Sequence, residues 1–220
     1  MKQFKIGYID KSDLSIFGIA IGKTISNGFL LFENGELYFK SKFKDKEKAS
    51  FSYVKNSLDT QEELENFCTK ISDVIKSSHT YIQDIKDSEG NDGRNQDYAL
   101  VNPSSINEHS IAHSLASYIM HNSSLNEPIL FLSAKLLFNI ATSHIYRNGN
   151  KRTAIFSMIF LLENFGLTVI CKNENAINKW DKIVCDIIGF RNNWLINEEN
   201  AIIHIMGKIR ESILLNFKIS

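Results

Sequence analysis

Apolar residues recur at helical spacing through most of the chain that follows residue 60. Intervals of three or four positions are typical of a helix that buries one face. The first apolar stripe consists of Leu64, Phe67, Ile71 and Ile75. Thr60 precedes it as a candidate N-cap, which predicts where this helix begins. Further helices are predicted over residues 107–120, 128–144, 150–164, 174–189 and 198–216.

Two of these helices differ in how they are expected to pack. Segment 150–164 is apolar on nearly every side, so it is predicted to be the central buried helix. Gly166 is its expected stop, because glycine readily adopts the left-handed conformation that ends a helix. In segment 128–144 the apolar residues share one face. The four-residue step from Ile140 to His144 predicts that His144 points toward the core side of its helix end.

The first part of the chain has a different pattern. Residues 15–21 (SIFGIAI) are predicted to form a short apolar strand, and Asn34-Gly35 between two alternating segments predicts a hairpin turn. Residues 77–105 are predicted to be a loop. We therefore expect a β-rich N-terminal extension over residues 1–57 and a helical core over residues 58–220. The predicted fold class is mainly α with a small hairpin-containing extension, α+β overall.

Composition and charge narrow the classes of function. The chain has 220 residues, enough for one substantial domain or for a core with a small extension. Its 25 basic and 25 acidic side chains cancel, so no nucleic-acid or membrane partner is expected. No signal peptide or membrane-spanning run is evident. Three cysteines without metal-ligand spacing fit a reducing compartment, so we expect a cytoplasmic protein, unless a signal-less route exports it.

The segment that carries chemistry is residues 144–152, HIYRNGNKR. It places a histidine, a small polar loop and two cations at the start of the predicted helix 150–164. The first backbone N–H groups of a helix have no internal partner, and the helix dipole favours an anion there. His144 can take a proton from a hydroxyl that lies beside a bound phosphate. The segment therefore predicts phosphoryl or nucleotidyl transfer with His144 as the general base.

Other residues of the loop have expected roles in phosphate binding. Gly149 lets the backbone approach a phosphate closely, and Asn150 is a candidate N-cap. Arg152 can hold phosphate oxygens with two parallel donors, whereas Lys151 acts as a mobile point charge. The alternatives are a core histidine bonded to a backbone carbonyl and a solvated pair of cations. The second alternative is weak, because cations at a helix N-terminus oppose the dipole unless an anion is present.

The string H-x-Y-x-N-G-N-K-R resembles the signature of the Fic/Doc (Fido) family, whose loop usually reads H-x-F-x-D/E/N-G/A-N-G/K-R. The resemblance extends over residues 105–190 and implies a mainly helical Fido core. Lys151 stands where Fic-type members carry glycine, so the Doc branch is the closer match. The resemblance also implies that Asn150 contacts phosphate and that Asn148 occupies a metal-holding position. The neutral amide of Asn148 predicts weak Mg²⁺ affinity.

The activity that the resemblance implies depends on Lys151. In Doc-type members this lysine is understood to reverse the nucleotide, so that the γ-phosphate faces the histidine. We therefore expect a Doc-like transferase, a bacterial toxin held by an antitoxin, that moves the γ-phosphate of ATP with Mg²⁺ to a Ser, Thr or Tyr hydroxyl of a target protein. AMP transfer of the Fic type and transfer from another nucleotide-linked donor are the enzymatic alternatives. A degenerate Fido fold acting as a binding or scaffold module is the alternative that Asn148 favours.

Overall fold

The structure, a computed structural model, describes residues 2–40, 46–84, 100–101, 107–122, 124–169, 180–187 and 197–216. Within these ranges the helices are α1 (Leu14–Ser26), α2 (Gln61–Asp84), α3 (Glu108–His121), α4 (Pro128–Ser143), α5 (Asn150–Asn164), α6 (180–187) and α7 (Glu198–Ser212). The strands are β1 (Lys2–Tyr8), β2 (Leu30–Glu33), β3 (Glu36–Phe39), β4 (Glu47–Lys55), β5 (Leu167–Val169) and β6 (Ile213–Leu215). The predicted fold class is confirmed. None of the helices in the described ranges has the length and apolar character needed to cross a membrane.

The N-terminal strands form a four-stranded sheet in the order β1-β4-β3-β2. The β2–β3 hairpin is confirmed, with Asn34 at φ 53° and Gly35 at φ 81° in the turn. Both residues have positive φ, as a tight hairpin turn requires. The outer strand β1 pairs in parallel with β4, and this non-local pairing was not predicted from the sequence. The N–H of Gly7 in β1 donates to the carbonyl of Phe165 just after α5, which attaches the sheet to the helical core.

The prediction that residues 15–21 form a strand is wrong, because they lie within helix α1. Their buried residues are spaced for a helix, with Ile16, Ala20 and Thr24 on one face. A capping box at Asp10 and Asp13 starts the short 3-10 turn that leads into α1. A short apolar run is ambiguous between strand and helix, and here the preceding cap decides in favour of helix.

Helix α2 begins where the sequence predicted and ends later. The N–H of Thr60 donates to the Glu63 carboxylate at 3.0 Å, and the N–H of Glu63 donates to the Thr60 hydroxyl at 3.2 Å. This reciprocal pair is a capping box. The helix continues through the buried residues His79 and Ile82 to Asp84, so residues 77–84 are not the predicted loop. Most of the remainder of that loop, residues 85–99 and 102–105, lies outside the described part of the chain.

The core of the helical part is formed by α4 and α5, with α2 against α5, α3 against α2, and α7 against α4. Helix α5 is buried along one side and half-buried along the other, and it packs on both α2 and α4. Its predicted stop is confirmed, because Gly166 has φ 82° and its N–H donates to the carbonyl of Glu163. This arrangement places the N-terminus of α5 beside the C-terminus of α4.

The N-terminal segment caps helix α4 from a distant part of the sequence. Glu127, the residue before α4, has φ 54° and makes no side-chain cap. Instead, the Asp13 carboxylate accepts the N–H of Ile129 at 2.9 Å. The buried Glu127 carboxylate accepts the hydroxyl of Ser15 at 2.7 Å and pairs with Arg210 of α7. These contacts join α1, α4 and α7. The domain boundary after residue 57 stays a prediction.

Candidate functional site

Residues 144–149 form a loop that connects the end of α4 to the start of α5. Two of its residues have left-handed backbone conformations, His144 with φ 48° and ψ 46° and Gly149 with φ 78° and ψ 4°. Glycine adopts this conformation without strain, whereas a non-glycine residue at such angles costs roughly 1–3 kcal/mol, and residues of this kind cluster at functional sites. The loop is therefore bounded at both ends by residues that turn the chain sharply.

His144 is exposed, so the prediction that it points toward the core side of α4 is wrong. The i+4 relation to Ile140 holds only while the helix continues, and α4 ends at Ser143. The left-handed turn at His144 instead puts the next two residues inside, with Ile145 at 2% exposure and Tyr146 at 3%. An imidazole at the surface is accessible to a substrate hydroxyl, as a general base must be.

Tyr146 anchors the loop. Its backbone N–H donates to the Asn150 side-chain oxygen at 2.9 Å, and its carbonyl accepts the Asn150 amide at 2.6 Å. Its hydroxyl donates to the Glu108 carboxylate at 2.8 Å, and its ring stacks on His79 with centroids 3.4 Å apart. Burial, with the added effect of Glu108, raises the pKa of Tyr146. The phenol therefore stays protonated and remains a hydrogen-bond donor at neutral pH.

The first backbone N–H groups of α5 lack hydrogen-bond partners within the helix. Its N-cap is Gly149 and not Asn150, which is the first helical residue, so the prediction of Asn150 as N-cap is wrong. The first bond of the helix runs from the Thr153 N–H to the Gly149 carbonyl at 2.9 Å. Among the described residues, the N–H groups of Asn150, Lys151 and Arg152 therefore have no partner inside the helix. With the helix dipole, this is the geometry that binds anions.

The two cations of the loop differ in their surroundings. Lys151 is exposed, and its ammonium donates to the thiol sulfur of Cys185 in α6 at 3.1 Å. This contact raises the pKa of Lys151, so the side chain stays charged. Arg152 is half-buried in the first turn of α5. Both cationic residues therefore belong to the first turn of α5, the helix end where the dipole favours an anion and disfavours cations alone.

The loop is a poor site for a metal held by the protein. The side-chain oxygen of Asn148, the predicted metal ligand, already accepts the N–H of Gly149 at 2.7 Å. In the part of the chain that the structure describes, no group of three or more His, Cys, Asp or Glu residues is placed to hold a metal ion. Mg²⁺ binds through carboxylates and substrate phosphates, and one neutral amide oxygen offers little. The described residues at the loop therefore do not provide the ligand set of a resident divalent metal.

Three residues around the loop were not predicted from the sequence: His79, Glu108 and Thr153. The buried His79 of α2 places its Nδ1 atom 3.0 Å from the hydroxyl of Thr153 in α5. Its position four residues after Ile75 continues the apolar stripe of α2, and this spacing was the signal that could have identified it. Glu108 carried no such signal, because its contact with Tyr146 spans thirty-eight positions of sequence.

One comparison with known proteins matches a segment that contains this loop. The sequence model of the Fic/DOC family matches residues 69–162, which include most of α2, all of α3 and α4, the loop and most of α5. No curated protein and no solved structure gave a significant match to the chain. The matched segment ends within α5, so the family comparison does not extend to β5, α6 and α7. Residues 69–162, with the His144 loop at the junction of α4 and α5, thus support a Fic (Fido) domain in this chain.

Proposed function

We propose that the protein is a Fic/DOC-type transferase that moves a phosphate-containing group from a nucleotide to a hydroxyl of a target protein. One observation carries this proposal: an exposed histidine opens a loop that ends on the unpaired N–H groups of a helix N-terminus. The family match over residues 69–162 supports the same class of reaction. A loop of a few residues joins the histidine to the helix end, and we propose that one substrate contacts both.

The proposed chemistry uses the residues of the loop in a simple division of roles. The nucleotide phosphates bind at the N–H groups of residues 150–152, with Lys151 and Arg152 balancing their charge. A Ser, Thr or Tyr hydroxyl of the target is too weak an acid to attack unaided. His144 takes its proton as the hydroxyl oxygen attacks phosphorus, and the bond from that phosphorus to its bridging oxygen breaks. ADP leaves if the γ-phosphorus is attacked, and pyrophosphate leaves if the α-phosphorus is attacked. Positioning and charge neutralisation supply most of the rate enhancement.

The leading version of the proposal is Doc-like transfer of the ATP γ-phosphate, with AMP transfer as the alternative. Lys151, which is charged and stands next to the phosphate-binding N–H groups, supports the γ version. Mg²⁺ is proposed to enter with the nucleotide phosphates, because the loop itself offers only Asn148. A bacterial toxin with an antitoxin partner and a cytoplasmic site of action is the proposed setting. The engaged, neutral amide of Asn148 favours a second candidate, a binding or scaffold module without turnover.

Labelled nucleotides distinguish these candidates. The protein is incubated with cell lysate and ATP labelled at the α- or the γ-phosphate, alongside His144→Ala. His204→Ala, an exposed histidine of α7 outside the matched segment, is the control and should behave like the wild type. Label that requires His144 and comes only from the γ-phosphate supports the kinase-like version, and label only from the α-phosphate supports AMP transfer. No His144-dependent label, with no nucleotide binding, supports the scaffold.

A further inference from the structure

We propose that Glu108 and Tyr146 are positioning residues whose hydrogen bond ties the first turn of α3 to the loop and fixes the place of His144. This inference rests on the proposed function, because it concerns the base of that reaction. Neither residue is exposed to the surface as His144 is, and Tyr146 is 3% exposed. Their effect on the reaction therefore passes through the loop and not through contact with substrate.

The α3 end of this link is held in place by its own helix. Asn107 caps α3: its side-chain oxygen accepts the N–H of Ser110 at 2.9 Å, and the Ser110 hydroxyl accepts the N–H of Asn107 at 2.9 Å. This reciprocal capping fixes the backbone of the first turn, in which Glu108 lies. A carboxylate is also favoured in the first turn of a helix by the dipole. Glu108 is therefore a well-placed acceptor for the Tyr146 hydroxyl.

The loop end of the link leads directly to His144. Only Ile145 separates Tyr146 from His144. Ile145 is buried, and its carbonyl accepts the N–H of Val101 at 2.9 Å. Tyr146 also forms a β-bridge with Leu100. The stack on His79 sets the plane of the Tyr146 ring but permits sliding along that plane, and the bond to Glu108 restrains this sliding. A shift of the ring moves the short, buried connection to His144.

Substitutions at each end of the hydrogen bond test the link. Tyr146→Phe keeps the ring and its stack but deletes the hydroxyl, Glu108→Ala removes the acceptor, and Glu108→Gln keeps an acceptor oxygen. We expect Tyr146→Phe and Glu108→Ala to lower kcat for His144-dependent label transfer by about ten- to a hundredfold, with KM for ATP unchanged. Glu108→Gln should stay near the wild type. Tyr118→Phe, a tyrosine of α3 that stacks on Phe131, is the matched control and should not change kcat.

A double substitution separates positioning from general destabilisation. If the two groups act through one bond, Tyr146→Phe combined with Glu108→Ala should lower kcat no further than either change alone. Losses that multiply in the double variant would overturn the proposal. So would an unchanged kcat accompanied only by a lower melting temperature, because that result would make the bond a stabilising contact without influence on His144.

A second readout keeps this inference distinct from the proposed function. If the wild type transfers no label in a His144-dependent manner, the proposed function fails, and the link is then tested by amide hydrogen exchange. Tyr146→Phe should speed the exchange of the residue 146 and Val101 amides by at least about tenfold, because both amides donate hydrogen bonds within or to the loop. Exchange in α7 should be unchanged. Unchanged exchange at both amides would show that the Glu108 bond does not hold the loop.

Discussion

Replacing Asn150 by alanine should open the loop, and the size of the effect follows from its contacts. The Asn150 side chain makes two hydrogen bonds with the backbone of Tyr146, at 2.9 and 2.6 Å. Each hydrogen bond contributes about 1 kcal/mol to stability. Because Tyr146 is buried, its backbone N–H and carbonyl cannot form replacement hydrogen bonds with water. We expect Asn150→Ala to lower the free energy of unfolding by about 2 kcal/mol. For a chain of this length that corresponds to a fall in Tm of roughly 4–8 °C.

Urea denaturation followed by far-ultraviolet circular dichroism measures this change, and amide exchange at Tyr146 locates it. Asn150→Asp retains the acceptor for the Tyr146 N–H but loses the donor to its carbonyl, so an intermediate loss is expected. Asn197→Ala is the matched control, because Asn197 caps α7 by accepting the N–H of Asn200 at 2.9 Å. It should cost about 1 kcal/mol and leave Tyr146 exchange unchanged. If Asn150→Ala lowers the free energy of unfolding by less than about 0.5 kcal/mol and leaves the exchange unchanged, the Asn150 side chain does not hold the loop.

Three further changes have expected outcomes. Asp13→Ala leaves the Ile129 N–H and two other backbone donors without an acceptor. Calorimetry should therefore record a free energy of unfolding lower by about 2 kcal/mol. An unchanged value would show that α4 needs no cap from the N-terminal segment. The pKa of Tyr146 in the folded protein is raised above 10.0, its value in the unfolded chain. The free energy of unfolding should therefore be unaffected below pH 10 and should fall as the pH rises above 10, because the unfolded chain loses this proton first. The fall should be less steep in Tyr146→Phe, which lacks the ionisable hydroxyl. Lys151→Gly should shift transferred label from the γ- toward the α-phosphate of ATP, and an unchanged ratio would remove Lys151 as the determinant.

The sequence predicted the elements whose signals are local. The hairpin followed from Asn34-Gly35, the start of α2 from Thr60 as a candidate N-cap, and α5 with its stop from an apolar run that ends before Gly166. Each of these depends on residues within a few positions of one another, which is the range over which pattern and capping act. The loop between the predicted helices 128–144 and 150–164 followed for the same reason, although the structure starts it one residue earlier, at His144.

Features that depend on distant residues were not predictable in this way. The parallel pairing of β1 with β4 joins Phe4 to Phe51, which no local pattern encodes. The orientation of His144 was predicted by continuing a helix that in fact ends one residue earlier. The anchoring of Tyr146 depends on side chains from α2 and α3, which only the tertiary structure brings to the loop. The sequence therefore located the segment that forms the loop, whereas the contacts that support it depend on the tertiary structure.

A crystal structure of the protein with a non-hydrolysable ATP analogue and Mg²⁺ would show whether the 144–152 loop is the transfer site. We expect the phosphates to lie within hydrogen-bond distance of the N–H groups of residues 150–152. We also expect the His144 imidazole to face the phosphorus to be transferred, with the side of attack open to a hydroxyl. Phosphates bound elsewhere on the protein, or bound at α5 with the imidazole directed away from them, would contradict the assignment of this loop as the transfer site.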